Sequence, residues 1–486
     1  MIYKLRPYQE ECVKSISDYI NSDRHDPVLI VGPVGCGKSL LIAEAARLMG
    51  DKTLILQPSK ELLQQNHDKI TSYGIPATIY SASCGKKELS NMIYATLGSI
   101  KKVVDKLKEM GIRNVLIDEA HAGYSPEDGS EFMTFMNELK PKKVIGFTAT
   151  PCRLKNMSIG QTSYSQLNFI TRMRPVYFKN LIHVIQVEEM IRQGFWTPLK
   201  YETWDFNGDA LKLNSNGSEY TAESISEAVR KNGLNNLILR RLMVLKDVCR
   251  FILVFMDSVE SCNTAAEWMN AKICAGMAEV VHGGTPKKQR EAIVEGFKSG
   301  KTKVVFNYSA LGTGFDHPGL DCVIVGRPTF SFSSFYQWLG RAVRIKDGKD
   351  SALVVDCCNN SSRFGDIRKL GIENYKGYGW GMFIGDKLIT NIPMGDKVTK
   401  TDLDIKAAKK DRRRGLAQGV TAAPVPGRPD HPLGSTVMTF GKYCGWMFHS
   451  IPVSYFKFIN ETFDWDNDRN KDIKEYIDFL IKNNRL

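Results

Sequence analysis

The cysteines of this chain lack the close spacing that binds zinc. Eleven are present, and no two of them form a C-x-x-C pair. This spacing argues against a zinc module and, in a reducing compartment, against a disulfide framework. We therefore expect all of them to be packing residues, at positions 12, 36, 84, 152, 249, 262, 274, 322, 357, 358 and 444.

Long apolar runs are missing too. No window approaches the roughly 18 unbroken apolar residues of a membrane-spanning helix. The first residues, MIYKLRPYQEE, lack the apolar core of a signal peptide. The chain is therefore expected to stay in the cytoplasm, with no membrane as a partner.

Acidic residues are outnumbered by basic ones. The 66 lysines and arginines exceed the 53 aspartates and glutamates, which leaves a net charge of +13 on 486 residues. A surplus of this size favours a polyanionic partner, although a basic solvated surface would give the same count. At about 150 residues per domain, the length predicts two or three domains.

Two series of short apolar runs alternate with helix-like segments such as SLLIAEAARLMG. Unpatterned apolar runs are typical of parallel strands that are covered on both faces. The predicted fold class is α/β, with two doubly wound parallel sheets in tandem and a cleft between them. The runs are PVLIV (27–31), TLILQ (53–57), NVLID (114–118) and KVIGF (143–147), then FILVFM (251–256), KVVFN (303–307), CVIVG (322–326) and ALVVDC (352–357).

A glycine-rich segment, GPVGCGKS, follows the first predicted strand at residues 32–39 and precedes a helix. It fits the phosphate-binding pattern G-x-x-x-x-G-K-S, in which glycines let backbone amides turn inward and cradle phosphates at the helix N-terminus. We expect Lys38 to reach the β- and γ-phosphates and the Ser39 hydroxyl to hold magnesium. The predicted nucleotide site comprises Gly32, Pro33, Val34, Gly35, Cys36, Gly37, Lys38 and Ser39.

The segment VLIDEAHAG, residues 115–123, places two acids at the end of another predicted strand. Alone, it would fit two solvated carboxylates at a loop entry equally well. Beside a phosphate-binding loop, Asp118 is predicted to bind magnesium through water and Glu119 to orient or deprotonate the attacking water. His121 either has a structural role or passes the state of the γ-phosphate to the second sheet.

These residues together resemble the DEAH-box pattern of superfamily 2 helicases, and the resemblance extends over residues 3–356. It implies two RecA-like sheets with a nucleotide cleft between them, with ATP and Mg²⁺ as cofactors. The segment LRPYQEE, with Arg6 and Gln9, resembles the Q motif, in which a side-chain amide reads adenine through a donor and an acceptor. The residues that carry the DEAH-box pattern are Lys38, Ser39, Asp118, Glu119 and His121.

Two segments resemble the motifs that complete the cleft from its far side. YSALGTGFDHPGLD (308–321) resembles motif V, which implies that Gly314 and Asp316 contribute to nucleotide binding. QWLGRAVR (337–344) resembles motif VI, which implies catalytic roles for Gln337, Arg341 and Arg344. Arginines three residues apart lie on one helix face and can act as arginine fingers, worth about 10³ to 10⁵ in rate.

Further segments resemble the coupling and nucleic-acid motifs. FTATP (147–151) resembles motif III, which implies that Thr148 and Thr150 act with His121 to couple the nucleotide site to the strand-binding face. QPSKELLQQ (57–65), YATLGSI (94–100) and FMDSVESC (255–262) resemble motifs Ia, Ib and IV. With motif V and the C-terminal segment, the implied nucleic-acid contacts are Pro58, Ser59, Lys60, Thr96, Ser99, Ser258, Ser309, Lys442 and Trp446.

Aromatic residues are dense around motif VI. They offer bases a stacking platform, or they pack the motif VI helix against its sheet. We favour packing at each position, with base stacking as the alternative, for Phe330, Phe332, Phe335, Tyr336 and Trp338.

The C-terminal part differs in composition from the two sheets. A basic run, Lys409 to Arg414, enters a Pro/Gly/Ala-rich linker and either binds phosphates or is solvated. Beyond it, FGKYCGWMFHSIP is predicted as a hairpin, and YFKFINETF and DIKEYIDFLIKN as helices, in a small α+β module. This module is similar to one appended to phage and bacterial nucleic-acid enzymes. A substrate contact and a protein contact both remain open for it.

The predicted boundaries follow these segments. The first RecA-like, ATP-binding domain takes residues 1–156, and an atypical connecting segment takes 157–245. The second RecA-like domain takes 246–395, the basic linker 396–434 and the C-terminal module 435–486.

The connecting segment VEEMIRQGFWTPLKY resembles that of DNA-directed members of the superfamily. The chain most resembles phage branch-migration helicases of the RecG or UvsW functional type, including those of T-five-type phages. This implies an ATP-dependent DNA helicase or translocase that acts on forks, Holliday junctions and R-loops in phage recombination, repair or replication. The implied partners are single-stranded and branched duplex DNA and single-strand-binding or recombination proteins, with the chain a monomer in the host cytoplasm.

Two alternatives stay open, and motifs Ia, Ib and V argue against a third. A restriction-type DNA translocase subunit would share every motif, although the chain has no P-D-x-E-x-K nuclease pattern. An RNA helicase would also keep the two RecA-like sheets. A nucleotide-switch scaffold would bind ATP without nucleic-acid-stimulated turnover.

Overall fold

A computed structural model describes most of the chain and divides it into two compact units. Unit 1 is Met1–Tyr375 with Gly379–Val398, and unit 2 is Lys376–Tyr378 with Thr399–Leu486. The described residues are 4–50, 52–127, 129–159, 162–310, 315, 317–407, 432–436, 438, 443, 446–462, 471–483 and 486.

The first sheet of unit 1 has eight strands in the order β10-β1-β7-β6-β2-β5-β3-β4, parallel except for β4. An antiparallel hairpin, β8 and β9, follows the last central strand. The strands are β1 (Val28–Val31), β2 (Thr53–Leu56), β3 (Thr78–Ser81), β4 (Lys86–Lys87), β5 (Met92–Ala95), β6 (Asn114–Ile117), β7 (Lys143–Thr148), β8 (Cys152–Ile159), β9 (Thr162–Phe169) and β10 (Asn180–Val184).

Two helices of this half start at serines whose side chains satisfy a free backbone amide. The Ser59 and Ser130 hydroxyls each accept a hydrogen bond from the backbone three residues on, and Pro7 opens the first helix. The helices are α1 (Pro7–Asn21), α2 (Lys38–Met49), α3 (Lys60–Thr71), α4 (Leu97–Ile100), α5 (Val104–Glu109), α6 (Glu131–Leu139) and α7 (Val187–Arg192), with 3₁₀ turns at Ala82–Cys84, Lys101–Val103 and Ile170–Arg172.

The second sheet of unit 1 has six parallel strands in the order β11-β16-β15-β12-β14-β13. Its strands are β11 (Leu199–Thr203), β12 (Ile252–Phe255), β13 (Ala278–His282), β14 (Val304–Tyr308), β15 (Cys322–Val325) and β16 (Ala352–Asp356). Its helices are α8 (Ala222–Lys231), α9 (Leu234–Val248), α10 (Val259–Lys272), α11 (Lys287–Ser299), α12 (Phe332–Leu339) and α13 (Asn360–Phe364).

The predicted α/β class and all eight predicted strands are confirmed. Strands β1, β2, β5, β12 and β15 are buried along their whole length, as expected of parallel strands covered on both faces. In β12, Leu253 and Phe255 face a core that continues into the first sheet, whereas Ile252 and Val254 face a separate core against α9 and α10. One face of the second sheet therefore packs towards the first.

The connecting segment builds an edge strand for each sheet. Strand β10 pairs in parallel with β1, and β11 pairs in parallel with β16. The polypeptide between the two sheets is therefore anchored to both of them. This arrangement holds the stretch at residues 195–197 close to the end of β1 that carries the phosphate-binding loop.

Three short antiparallel strands end unit 1: β17 (Leu370–Tyr375), β18 (Gly379–Ile384) and β19 (Lys387–Leu388). A 3₁₀ turn, Ile367–Lys369, precedes them, and a two-residue strand, β20 (Val398–Thr399), follows. Pro393 forms an isolated bridge with Gln166 of β9, so this meander is tied to the hairpin.

Unit 2 contains the two predicted C-terminal helices, α14 (Val453–Thr462) and α15 (Lys471–Lys482), and 3₁₀ turns at Pro432–Ser435 and Phe448–Ser450. Of the predicted hairpin, residues 440–452, the structure describes 443 and 446–452, where Phe448–Ser450 form a 3₁₀ turn. The apolar core of this unit consists of Met438, Phe448, Ile451, Phe456, Ile459, Ile473, Tyr476, Ile477 and Leu480.

Two expectations from composition can be compared with the described part of the chain. Eight of the ten cysteines described there are buried, which confirms the packing role for those eight, whereas Cys84 is half-buried and Cys274 is exposed. No helix in the described ranges combines the length and apolarity needed to cross a bilayer.

Candidate nucleotide-binding site

A cavity of about 500 Å³ lies where the carboxyl ends of the first sheet's strands meet the loop after α12. This volume is in the range of small-molecule and cofactor sites. The wall brings together residues from six of the sequence motifs. It is lined by Lys4, Arg6, Gln9, Val34, Gly35, Gly37, Lys38, Ser39, Leu40, Leu62, Gln65, Lys69, Asp118, Glu119, Phe195, Pro318, Gln337, Gly340, Arg341, Arg344 and Ile345.

The phosphate-binding loop joins β1 to α2. Gly35 and Gly37 have φ of +82° and +84°, a left-handed conformation that glycine adopts without strain. A Cβ at Gly37 would lie 2.6 Å from Nε2 of Gln9, so this position needs glycine for space as well. The loop therefore has the tight backbone that a phosphate cradle requires, and it opens directly onto the α2 N-terminus.

The N-terminal motif supports this loop through hydrogen bonds. The Gln9 amide donates to the Cys36 carbonyl at 2.8 Å and accepts from the Arg6 backbone N–H at 3.0 Å. The Tyr8 hydroxyl also donates to the Cys36 carbonyl, at 3.1 Å. One N–H and one lone pair of the Gln9 amide are left over for the edge of a base.

An aromatic ring that was not predicted lies beside this motif. The Arg6 guanidinium is 4.7 Å from the ring centroid of Phe195, and both residues line the cavity. A cation over a ring face is a favourable pair, and a planar base can stack on either partner. Phe195 belongs to the connecting segment, whose local sequence carries no pattern for a base site.

Replacing Phe195 with alanine is therefore expected to weaken ATP binding. Loss of a stacking surface worth about 1 to 3 kcal/mol predicts a KM for ATP raised roughly fivefold to 150-fold, with kcat nearly unchanged because no phosphate contact is lost. Steady-state ATP hydrolysis measures both constants. Phe195→Tyr, which keeps the ring, is the control, and a drop in kcat at unchanged KM would contradict the assignment.

The two predicted acids lie at the end of β6. The Asp118 carboxylate is nearly fully buried and accepts hydrogen bonds from Asn66 Nδ2 and from the Glu119 backbone N–H, each at 2.9 Å. Burial and the neighbouring Glu119 raise the pKa of Asp118 to about 7. A carboxylate with so little compensating positive charge fits a site for a cation.

Glu119 has the geometry of a constrained catalytic residue. Its φ is +46°, in the left-handed region that costs a non-glycine residue energy and that is common at functional sites. Its carboxylate lies 3.6 Å from Lys38 Nζ. Burial acts to raise the pKa of Glu119, but Lys38, His121 and Arg341 outweigh it, and the pKa is lowered. Glu119 is thus held as a carboxylate beside the phosphate-binding lysine.

Ser39 and Asp118 are the candidate magnesium ligands, and both line the cavity. A hydroxyl and a carboxylate suit Mg²⁺, which usually takes few protein ligands and completes its shell with phosphate oxygens and water. Among the residues that the structure describes, no group of three or more His, Cys, Asp or Glu side chains forms a metal cage. The donor set therefore fits an ion that arrives with a nucleotide.

The predicted coupling residues form one hydrogen-bonded group. His121 Nδ1 lies 2.8 Å from the Thr148 hydroxyl and 3.4 Å from the Glu119 carboxylate. Its Nε2 lies 3.2 Å from the hydroxyl of Ser333, which lies 3.1 Å from the hydroxyl of Thr150. Burial lowers the pKa of His121, so the ring is neutral at neutral pH. Ser333, on α12 of the second sheet, was not among the predicted residues.

The motif VI arginines lie on the wall formed by the second sheet. The prediction that they share a helix face is wrong, because α12 ends at Leu339 and both lie in the loop that follows it. Arg341 donates to the Phe315 carbonyl at 2.7 Å, and Arg341, Arg344 and Gln337 all line the cavity. Burial lowers the pKa of each arginine to about 10, which leaves both charged at neutral pH. The structure thus brings two cations against the same cavity as Lys38 and Glu119.

The loop after α12 touches the phosphate-binding loop directly. A Cβ at Gly340 would lie 2.5 Å from a Val34 methyl, and one at Gly35 would lie 3.2 Å from Val343. The connecting segment bridges the same two loops: Trp196 Nε1 donates to the Val34 carbonyl at 2.8 Å, and Thr197 donates to the Val343 and Arg344 carbonyls at 2.7 Å. Neither bridging residue was predicted.

Arg153, just after the FTATP segment, holds the backbone of the acidic loop. Its guanidinium donates to the His121 carbonyl at 2.6 Å and also contacts the Ala120 and Tyr124 carbonyls. Charge-assisted bonds of this kind are stronger than neutral ones. They fix the loop in which Glu119 has its strained backbone.

The proposed nucleic-acid residues of unit 1 lie in the loops or first helical turns that follow strands β2, β5, β12 and β14. The hydroxyls of Ser59 and Ser258 cap α3 and α10 as acceptors. The Ser59 hydroxyl proton is left for a phosphate, whereas the Ser258 hydroxyl donates to the Ser261 hydroxyl at 3.0 Å. Thr96 and Ser99 hydrogen-bond to each other at 3.2 Å, and Ser309 has φ of +55°. Pro58 and Lys60 are exposed.

The remaining predicted residues lie in unit 2, pack around motif VI or fall outside the described residues. In unit 2, Trp446 is 44% exposed, as a surface contact requires. Of the motif VI aromatics, Phe332, Phe335, Tyr336 and Trp338 are buried, which confirms packing for them, whereas Phe330 is half-buried against Tyr220. Gly314, Asp316, Lys442 and the basic run Lys409 to Arg414 lie outside the described residues.

Family models match the two halves of this cleft. The model described as "Type III restriction enzyme, res subunit" matches residues 2–153, and the model described as "Helicase conserved C-terminal domain" matches residues 235–346. The first range holds β1 to β7 with the phosphate-binding loop, and the second holds β12 to β15 with α12. Together these matches cover both sheets of the cleft and support an ATP-dependent helicase of the superfamily 2 type.

Individual relatives are distant. A 51.5 kDa protein of Lactococcus phage (isolate 7-9) is 25% identical over 68% of this chain and 65% of its own length. The ATP-dependent DNA helicase Hel308 of Pyrococcus horikoshii is 25% identical over 69% of this chain and 49% of its own. The chain spans between 38% and 65% of the length of its relatives from Lactococcus phage, Saccharomyces cerevisiae and Schizosaccharomyces pombe.

Solved structures share the fold. The ATP-dependent Type ISP restriction-modification enzyme LlaBIII bound to DNA has a TM-score of 0.54 at 15% identity, over 86% of this chain and 30% of that one. A Dbp5 variant of S. cerevisiae bound to RNA and ADP BeF3 has a TM-score of 0.50 at 16% identity, over 84% and 93%. The same two-sheet fold thus occurs with either nucleic acid.

Proposed function

We propose that this protein is an ATP-dependent DNA helicase or translocase that acts on branched DNA: forks, Holliday junctions and R-loops. One observation carries the ATPase part of the proposal. Lys38, Asp118 and Glu119 from the first sheet and Arg341 and Arg344 from the second line a single cavity. Phosphoryl transfer needs this combination of a phosphate cradle, a water-positioning acid and cations at the transferred group.

The proposed chemistry assigns each wall of the cavity a task. The loop amides and Lys38 hold the β- and γ-phosphates, and Glu119 orients the attacking water and accepts its proton. Mg²⁺ would be held by Ser39 and, through water, by Asp118, and it would supply positive charge that offsets the charge of the phosphates. Arg341 and Arg344 stabilise the charge that develops on the transferred phosphoryl group, while Gln337 lies beside them.

Movement of one sheet relative to the other follows because Lys38 belongs to the first sheet and Arg341 and Arg344 belong to the second. Full stabilisation of the transferred group requires both walls to be close, so ATP binding favours the closed arrangement and hydrolysis removes that preference. The segments that bear Ser59, Ser99, Ser258 and Ser309 then shift relative to one another. If each sheet holds one strand by its phosphates, each cycle advances the protein along that strand.

DNA is favoured as the nucleic acid by the relatives and by charge. Two relatives are named as a DNA helicase and, in Sulfurisphaera tokodaii, a DNA 3'-5' translocase, the latter 25% identical over 72% of this chain and 81% of its own length. The net charge of +13 suits a polyanion. The similarity to a phage protein supports a role in phage recombination, repair or replication in the host cytoplasm. We expect a monomer that works beside single-strand-binding or recombination proteins.

A restriction-type DNA translocase subunit is the second candidate. The match of residues 2–153 to the res subunit model favours it, and so does the fold shared with a DNA-bound restriction-modification enzyme. Such a motor would move along linear duplex DNA without a need for a branch. An RNA helicase shares only the fold-level similarity to the RNA-bound structure.

Nucleic-acid preference tests the proposal. ATP turnover and strand separation by the full chain are measured with single-stranded DNA, forks, four-way junctions, R-loops, linear duplex DNA and RNA duplex. We expect branched DNA to stimulate turnover most and to be converted to separated products. Strongest stimulation by linear duplex DNA with no strand separation would support the restriction-type motor instead, and strongest stimulation by RNA duplex would overturn the DNA assignment.

A further inference from the structure

The Ser333 hydroxyl is a contact point between the two sheets outside the phosphate site. Its oxygen lies 3.2 Å from Nε2 of His121 and 3.1 Å from the hydroxyl of Thr150. His121 and Thr150 follow strands β6 and β7 of the first sheet, whereas Ser333 is on α12 of the second. A single side chain of the second sheet therefore joins two segments that lead away from the nucleotide acids.

The helix that carries Ser333 leads to the catalytic wall. Gln337 lies four residues further along α12, on the same helix face, and lines the cavity. Arg341 follows the end of that helix. Because a short helix moves as a rigid body, a displacement at Ser333 is transmitted to Gln337 and Arg341.

A hydroxyl suits this position chemically. A neutral imidazole has one donor and one acceptor nitrogen, and which nitrogen carries the proton depends on what the other one contacts. On its Nδ1 side, His121 contacts the Glu119 carboxylate at 3.4 Å and the Thr148 hydroxyl at 2.8 Å. A hydroxyl donates and accepts, so Ser333 can remain bonded to Nε2 in either tautomer.

We propose that Ser333 is a positioning residue that couples the nucleotide site to the second sheet, by holding α12 against His121 and Thr150. The inference rests on the proposed helicase function. When Glu119 turns towards water and the γ-phosphate, its contact with Nδ1 of His121 changes. The hydrogen bond between Nε2 of His121 and Ser333 passes this change to the second sheet. Ser333 itself touches neither ATP nor the reacting atoms.

Three variants of the full chain test this role. Ser333→Ala removes the hydroxyl, and Ser333→Thr restores one. Ser334→Ala is the matched control, because the Ser334 hydroxyl bonds to Ser331 within the same helix cap, at 3.0 Å. For each variant, the KM for ATP, the basal and DNA-stimulated kcat and the number of strands displaced per ATP hydrolysed are measured.

We expect S333A to keep the KM for ATP and the basal kcat within about twofold, while strands displaced per ATP fall about fivefold to tenfold, the effect of one net hydrogen bond. S333T should recover most of this ratio, and S334A should match the wild type. An unchanged ratio in S333A, or a proportional loss of ATP binding, would overturn the coupling role. A wild type without DNA-stimulated turnover would instead refute the proposed function itself.

A double-mutant cycle with Thr150 tests the same contact from the first sheet, and it applies even if S333A folds poorly. Thr150→Val removes the same link from the first sheet. Residues that act through one shared contact are not additive. We therefore expect T150V to lower the displacement ratio by a similar factor and the double variant to be no worse than either single one, and fully additive losses would contradict a shared link.

Discussion

Replacing Glu119 with glutamine is expected to lower kcat for ATP hydrolysis by about 10² to 10⁴, the contribution of a positioned general base, while ATP still binds. Glutamine has the shape of glutamate but cannot accept the proton of the attacking water. The phosphate loop and Lys38 are unchanged, so the affinity for ATP should be equal to or higher than that of the wild type. Single-turnover hydrolysis and equilibrium nucleotide binding separate these two effects.

The control for this variant is Glu127→Gln. Glu127 is exposed eight residues further along the same loop, and it undergoes the same change of charge. We expect it to hydrolyse ATP at the wild-type rate. Wild-type turnover in E119Q would show that another group activates the water, and loss of ATP binding in E119Q would show that the strained loop, with φ of +46° at this residue, had collapsed.

Replacing Arg341 with alanine is expected to reduce kcat by about 10³ to 10⁵, the effect of an arginine finger. The guanidinium comes from the second sheet, so the variant removes a cation from one wall and leaves the phosphate cradle intact. Arg341→Lys should recover little, because an ammonium lacks the planar, two-pronged donor geometry. KM for ATP should change far less than kcat.

Arg240→Ala is the matched control for this experiment, since Arg240 is an exposed arginine on α9 of the same sheet. It should leave both kinetic constants unchanged. If R341A raised KM and left kcat intact, Arg341 would be a ground-state contact with the nucleotide. The second wall would then not act on the transferred phosphoryl group.

Sequence reasoning succeeds where the determining interactions are local. The loop GPVGCGKS depends on backbone torsions at Gly35 and Gly37 and on one adjoining helix, all within a few residues. The central strands are long apolar runs because both of their faces are covered. Edge strands such as β10, with the half-buried sequence NLIHV, have no such run, and they pair only because the first sheet offers an unpaired edge.

The residues that sequence reasoning missed act across long separations. Phe195 meets Arg6, Trp196 meets Val34, and Ser333 meets His121, each across more than 150 positions of the chain. No spacing or composition rule registers such contacts, because they exist only once the two sheets have packed. Gln9 was predicted from its motif, but its hydrogen bond to the Cys36 carbonyl was not.

The most direct test of the central claim is the ATP turnover of the wild type, with and without a four-way DNA junction, beside E119Q and R341A. The two-walled cleft predicts turnover that the junction stimulates in the wild type and that is lost in both variants, although both still bind ATP. ATP turnover that the junction does not stimulate, or that persists in either variant, would contradict this prediction.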